Sequence, residues 1–271
     1  MANDRYGGRR AGRDSLPPLR EANRERESRR MRNKNRLDEA DVPSLPDHVT
    51  AEDLPTWMLA QLRGLGEKNG ELVARHLAMV LETLEEAPEL AYRHARAAAD
   101  RAGRIALIRE YAGVTSYYTQ RWAEAVRELR AYQRISGEKH HTALLADALR
   151  GIGKAREALE LAAATPTADL DRDETFELGI VIAGTRADLG EYASARAGLE
   201  RLGRNQLTAS ERARLDEAKE RLAALEGGAT PESQDFADGS DGSGRRGAPD
   251  VARRPADVAG RAATAAAPPG G

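Results

Sequence analysis

Ala91, Ala125, Ala158 and Ala195 occupy one place in a recurring phrase, at spacings of 34, 33 and 37 residues. A helix–turn–helix unit of that size cannot bury its own apolar face, so it leans on further copies of itself. The expected product is a row of two-helix modules with one continuous core and an extended surface. No strand is needed. Arrays of this type usually hold partners rather than transform substrates.

The fullest copy of the phrase runs from Ala112 and Gly113 through Tyr117, Trp122 and Ala125 to Leu129 and Tyr132. Small residues at Ala112, Gly113 and Ala125 allow two helices to approach closely, and Tyr117, Trp122 and Leu129 can fill the space around their crossing. The next copy carries Leu145, Ala146, Leu149, Gly153, Ala155 and Ala158, and a later one Ile182, Ala183, Gly190, Tyr192, Ala195 and Leu199. Gly153 and Gly190 fall where a first helix must end, a position that favours left-handed backbone. Pro88, ahead of Ala91, suits the first turn of a helix.

These residues resemble the tetratricopeptide repeat over roughly positions 72 to 205. Gly113, Trp122, Ala125, Gly153, Ala158, Gly190, Tyr192 and Ala195 match its pattern. Ser116 and Arg186 stand where that repeat usually has a large aromatic, and three extra residues separate the last two copies. Arg109-Glu110-Tyr111-Ala112-Gly113, Leu145-Ala146-Asp147 and the stretch from Ala183 to Gly190 are similar to an uncharacterised family of actinobacterial tetratricopeptide-repeat proteins. That resemblance implies an all-α, tetratricopeptide-like solenoid, and it transfers no catalytic residue.

Aromatic residues make up only 4% of the 271-residue chain and cysteine is absent. Helices packed through alanine suit such a composition, and the lack of cysteine excludes disulfides and thiolate metal sites. No stretch approaches 18 consecutive apolar residues, and no apolar run follows the first arginines, so neither a spanning helix nor a secretory signal is expected. The expectation is a soluble cytoplasmic protein with no membrane partner.

A net charge of −2 conceals a strong asymmetry: residues 1–36 hold 12 Lys/Arg against 5 Asp/Glu, and residues 37–226 hold 25 against 33. Three regions follow. Residues 1–47 read as a disordered arginine-rich segment, 48–226 as the helical solenoid, and 227–271 as a disordered tail rich in Gly, Ala, Pro and Asp, because neither end carries enough apolar surface to offset chain entropy. In the first segment Arg9, Arg10, Arg24, Arg29, Arg30 and Arg32 are candidate contacts to nucleic acid phosphates. Tyr6 is its lone aromatic, which leaves little for base stacking, and a solubilising tail or one folded back on the acidic solenoid is the competing reading.

Helices are expected near 67–85, 88–101, 104–119, 122–136, 140–151, 154–164, 173–189 and 192–202. Thr50 or Asp53 caps an opening helix with Pro55 in its first turn. Thr208 and Glu211 form a capping box for a closing helix striped with Leu215, Ala218, Leu222 and Leu225.

In the repeat resembled, the first helix of each pair lines the concave face. By register, that places His76, Glu110, Tyr117, Asp147, Arg150 and Glu177 as candidate partner-binding residues for an extended peptide or a helix. The competing reading is that their charges pair between neighbouring helices. Chemistry has little to stand on. Gly242, Gly244 and Gly247 match dinucleotide glycine spacing without a strand before them. His140 and His141 lack a third ligand, and Glu85 and Glu86 point apart on a helix. No catalytic residue, cofactor or metal is expected. Trp122 reads as structural; Trp57 either seals the first repeat or anchors a second subunit, and either end of a stack leaves self-association open.

Overall fold

The computed structural model describes residues 42–228, and among these the chain is all-helical, with ten α-helices, two short 3-10 turns and no strand. The helices are α1 (Thr56–Leu62), α2 (Glu67–Thr83), α3 (Pro88–Ala102), α4 (Ala106–Tyr118), α5 (Trp122–Ser136), α6 (Thr142–Gly151), α7 (Ala155–Ala164), α8 (Arg172–Asp188), α9 (Tyr192–Leu202) and α10 (Ala209–Glu226). Turns of three or four residues join α2 to α3, α4 to α5, α6 to α7 and α8 to α9, and the members of each couple pack together. Successive couples meet through α3 on α4, α5 on α6 and α7 on α8, while α6 also packs on α8 and α8 on α10.

The recurring alanines share one environment, the interior between packed helices. Ala91, Ala125, Ala158 and Ala195 are all 0–2% exposed. The long last spacing has a local cause: Pro166 opens a 3-10 turn, Thr167–Asp169, in the connection between α7 and α8. Gly153 and Gly190 close α6 and α8 with φ of +75° and +76°, and Gln120 takes the same left-handed turn after α4 at +58°.

Gly113 shows why the crossing of α4 and α5 requires a residue without a side chain. A Cβ there would lie 2.7 Å from Leu129 Cγ and Cδ2 and 3.1 Å from the Leu129 backbone nitrogen. The backbone cannot retreat as a flexible side chain would. Gly198, within α9, has nothing within 4 Å of that position. Gly113→Val is therefore expected to destabilise by about 2 kcal/mol, whereas Gly198→Ala gains about 0.5–1 kcal/mol from helix propensity. Urea unfolding of both variants checks the opposite signs; a Gly113→Val midpoint equal to that of the parent would show that the crossing is loose.

Both ends of the described region are sealed locally. At the start, Arg75 of α2 donates from Nε to the Val49 carbonyl (2.7 Å) and from a terminal nitrogen to the Pro46 carbonyl (2.9 Å). This pins the incoming strand of backbone while Val49, Leu54, Met58 and Leu62 bury on the core. The Thr50 amide donates to Asp53 Oδ2 at 2.7 Å. Pro55 is the residue before α1, not a member of its first turn. Trp57 is half-buried against the same core, a sealing role. At the other end Thr208 Oγ1 accepts from the Glu211 amide at 3.2 Å and the Thr208 amide donates to Glu211 Oε2 at 2.6 Å. Leu215 and Leu222 then bury against Phe176, Ala183, Ala187, Ala195 and Leu199.

Polar contacts between couples join residues about one period apart. Tyr92 donates to Glu124 at 2.8 Å and Arg121 to Glu89 at 2.9 Å, each pair 32 residues apart. His141 and Glu110, and Ala143 and Glu174, are each separated by 31. Equivalent faces of neighbouring couples thus meet repeatedly.

Candidate functional site

The residues expected to line a partner groove divide into three settings. His76 on α2 is only 2% exposed, and its Nδ1 lies 2.9 Å from Nδ1 of His94 on α3. One ring carries the proton and donates; the other accepts. Burial, then the charges of His94, Arg101 and Arg75, lowers the His76 pKa to about 4, and burial with Arg93 lowers that of His94 to about 4. His76 therefore faces the interior of its own couple and presents no surface to a partner.

A second group crosses from α4 to α6. Tyr117 is fully buried, edge-on to Trp122 with ring centroids 5.2 Å apart. Its hydroxyl donates to Asp147 Oδ2 at 2.6 Å. Burial, followed by the charge and hydrogen bond of Asp147, raises the phenol well above its ordinary pKa. Tyr117 is thus an interior side chain, not a groove-lining one. Trp122 is half-buried and lies over Gly151, where a Cβ would come within 2.8 Å of the indole, which makes its role structural. Glu110, also on α4, accepts from Nε2 of His141 at 2.8 Å.

The third setting reaches towards the C-terminal couple. Arg150 donates from Nε to Asp147 Oδ1 at 2.9 Å and from a terminal nitrogen to Asp188 Oδ2 on α8 at 3.0 Å. Burial would lower the Arg150 pKa, but the carboxylates of Asp147 and Asp188 outweigh it and hold the guanidinium above its ordinary value. Glu177 accepts from Arg214 of α10. Glu174, one turn before Glu177 on α8, accepts from the Ala143 amide at 2.9 Å and so caps the start of α6 from the next couple. Of the six candidates, then, Arg150 and Glu177 pair with opposite charges on neighbouring helices, Glu110 meets His141 just ahead of α6, and Asp147 is held by Tyr117 of α4 and by Arg150 of its own helix. This is the arrangement of the competing reading.

What remains open lies further along, between α8 and α10. A cavity of about 140 Å³ is floored by Val181, Ala183, Ala187, Leu199, Leu222 and Leu225. Charged side chains of Arg150, Asp188, Arg214, Glu217 and Arg221 also line it, with the buried Asp147 beneath them. Arg221 and Glu217 are exposed, and among the described residues Arg221 makes no ion pair. An apolar floor with a few charged groups at its rim can take up an apolar group, whether from a side chain or from a small molecule. Asp188, Arg214 and Arg221 were not evident as site residues in the sequence. The available signal was the seven-residue step from Arg214 to Arg221 with Ala218 between them, which places one charged stripe beside the apolar stripe of α10.

The arginines at positions 9, 10, 24, 29, 30 and 32 and the glycine motif from 242 to 247 lie outside the described residues. Among the described residues, no three His, Cys, Asp or Glu side chains form a group able to hold a metal, and no helix is long and apolar enough to cross a membrane. Compared with protein-family models, curated proteins and solved structures, the chain matches none.

Proposed function

We propose that the chain is a non-catalytic protein–protein interaction scaffold, a tetratricopeptide-like solenoid whose first helices form a concave face and whose partner docks at the cleft between α8 and α10. The repeat spacing, the buried alanines and the contacts one period apart support the architecture. The observation that carries the site is the apolar cavity rimmed by exposed Arg221 and Glu217. It narrows the docking surface, because the Tyr117 and Asp147 side chains are engaged with one another inside the stack while the α8–α10 cleft is open. The partner is a protein or peptide that offers an apolar side chain flanked by charge.

Reversing the two rim charges tests this. Arg221→Glu combined with Glu217→Arg alters exposed side chains only, so the expected change in stability is within about 0.5 kcal/mol per site. Nuclease-treated affinity capture with the full chain is expected to retain a partner that the double variant loses at least about tenfold, the change that 1.4 kcal/mol of binding produces. Undiminished capture by the double variant would count against the cleft. A second reading follows from the charge of residues 1–36: the basic arm holds RNA or DNA and the helical array recruits a partner. Loss of every captured partner on nuclease treatment, with retention that falls steeply as salt rises, would favour it.

A further inference from the structure

The cavity between α8 and α10 is sized for one aromatic ring. It holds about 140 Å³, and an apolar cavity of about 150 Å³ takes up benzene. Its lining reaches Leu225, one residue before the end of α10 at Glu226. Gly228 then adopts a φ of +83°, which breaks the helical direction. Chain leaving α10 therefore starts beside the cavity.

The sequence that follows has the chemistry of the site's counterpart. Residues 229–242 contain Glu232, Asp235, Asp238 and Asp241 and no Lys or Arg, and Phe236 is the only aromatic residue after Tyr192. Seven residues lie between Gly228 and Phe236, a tether of eight chain steps that spans up to about 27 Å when extended. A tether of this length presents its end at an effective concentration on the order of millimolar. The rim supplies Arg221, which makes no ion pair among the described residues and is opposite in charge to the acidic residues flanking Phe236 in sequence.

We propose that Phe236 of the chain's own C-terminal segment seats its ring in this cavity, with Glu232 and Asp235 set against Arg221. A partner then competes with this segment for the cleft. This rests on the reading of the cleft as the docking site, and it gives that partner a chemistry: an aromatic side chain within an acidic segment. Charge complementarity orients the segment, and burial of the ring supplies most of the affinity.

Methyl NMR of the full-length protein tests the proposal, because an aromatic ring displaces the resonances of methyl groups under its face. In the parent chain the methyls of Val181, Leu222 and Leu225 are expected upfield of their positions in Phe236→Ala. A synthetic peptide of residues 229–242, added to the Phe236→Ala chain, is expected to restore the upfield positions. The same peptide with alanine for phenylalanine leaves them unmoved. Identical methyl spectra for the parent and Phe236→Ala would overturn the proposal. An upfield displacement that grows with protein concentration would overturn it too, by assigning the ring to a second copy. Capture of a partner through Arg221 alongside unmoved methyls leaves the docking reading intact and removes this one. Displaced methyls with no captured partner do the reverse.

Discussion

Arg150→Ala is expected to destabilise the protein by about 3 kcal/mol, because it strands a buried carboxylate. Asp147 is 5% exposed and holds two charged or polar partners, the Tyr117 hydroxyl and the Arg150 guanidinium. The hydroxyl remains after the substitution, which keeps the loss at the lower end of the range for a broken buried pair. Asp188 is exposed, so water replaces its lost partner at little cost. For a helical region of this size the melting temperature falls by roughly 6–12 °C. Adding Asp147→Asn to Arg150→Ala is expected to recover much of the loss, since the stranded charge is then absent. Urea unfolding of the single and double variants measures both effects. A loss below about 1 kcal/mol for Arg150→Ala would mean that Asp147 is already satisfied by water. The same reasoning makes Arg150 a poor probe of partner binding, because weakened capture by that variant reports damaged packing.

Acid is expected to undo the first couple before the others. His76 and His94 share one hydrogen bond within the interior, and each has its pKa lowered from 6.5 to about 4, chiefly by burial. Their contribution is fully present above about pH 6.5, where both folded and unfolded chains keep the rings neutral. Below that value the unfolded chain takes up protons that the folded chain refuses. Stability therefore falls as pH drops from about 6.5 through about 4, with a slope of up to about 1.4 kcal/mol per pH unit for each histidine. Imidazole resonances followed from pH 7.5 to 4.5 give the direct check: neither ring is expected to titrate near 6.5. A midpoint near 6.5 for either one would show that the pair opens to solvent. In native-state hydrogen exchange at pH 5, amides of α2 and α3 are expected to lose protection ahead of those in α4 and α5.

Much of this architecture could be read from local chemistry. Gly153 and Gly190 announce left-handed turns because few other residues tolerate them, and Thr208 with Glu211 marks a helix start through reciprocal hydrogen bonds. Those signals span four residues or fewer, so no knowledge of distant packing was needed. The helix ends consequently fall within a residue or two of expectation. The same register located the first helices but not the depth of their side chains. Whether Tyr117 meets solvent depends on Asp147, 30 residues later, and on how far α6 rotates against α4. His76 was obscured for the same reason, since nothing in the spacing pairs it with His94 across the turn of its own couple. Gln120 was hidden in another way: a non-glycine residue in left-handed backbone gives no compositional cue. The cleft depends on α10, whose charged outer stripe reads in sequence as a solvated cover. Its arginines acquire meaning only when Arg214 is seen beside Glu177 and Arg221 beside the cavity.

The Glu174 carboxylate on the Ala143 amide sets an order of assembly. A chain synthesised from its N-terminus delivers α6 some thirty residues before the side chain that completes its first turn. During that interval the Ala143 amide lacks this acceptor, and the opening turn of α6 is expected to fray. A protein shortened just after α7 would keep every residue of its third couple and still lack that couple's final fastening, so truncation damage travels backwards from the cut.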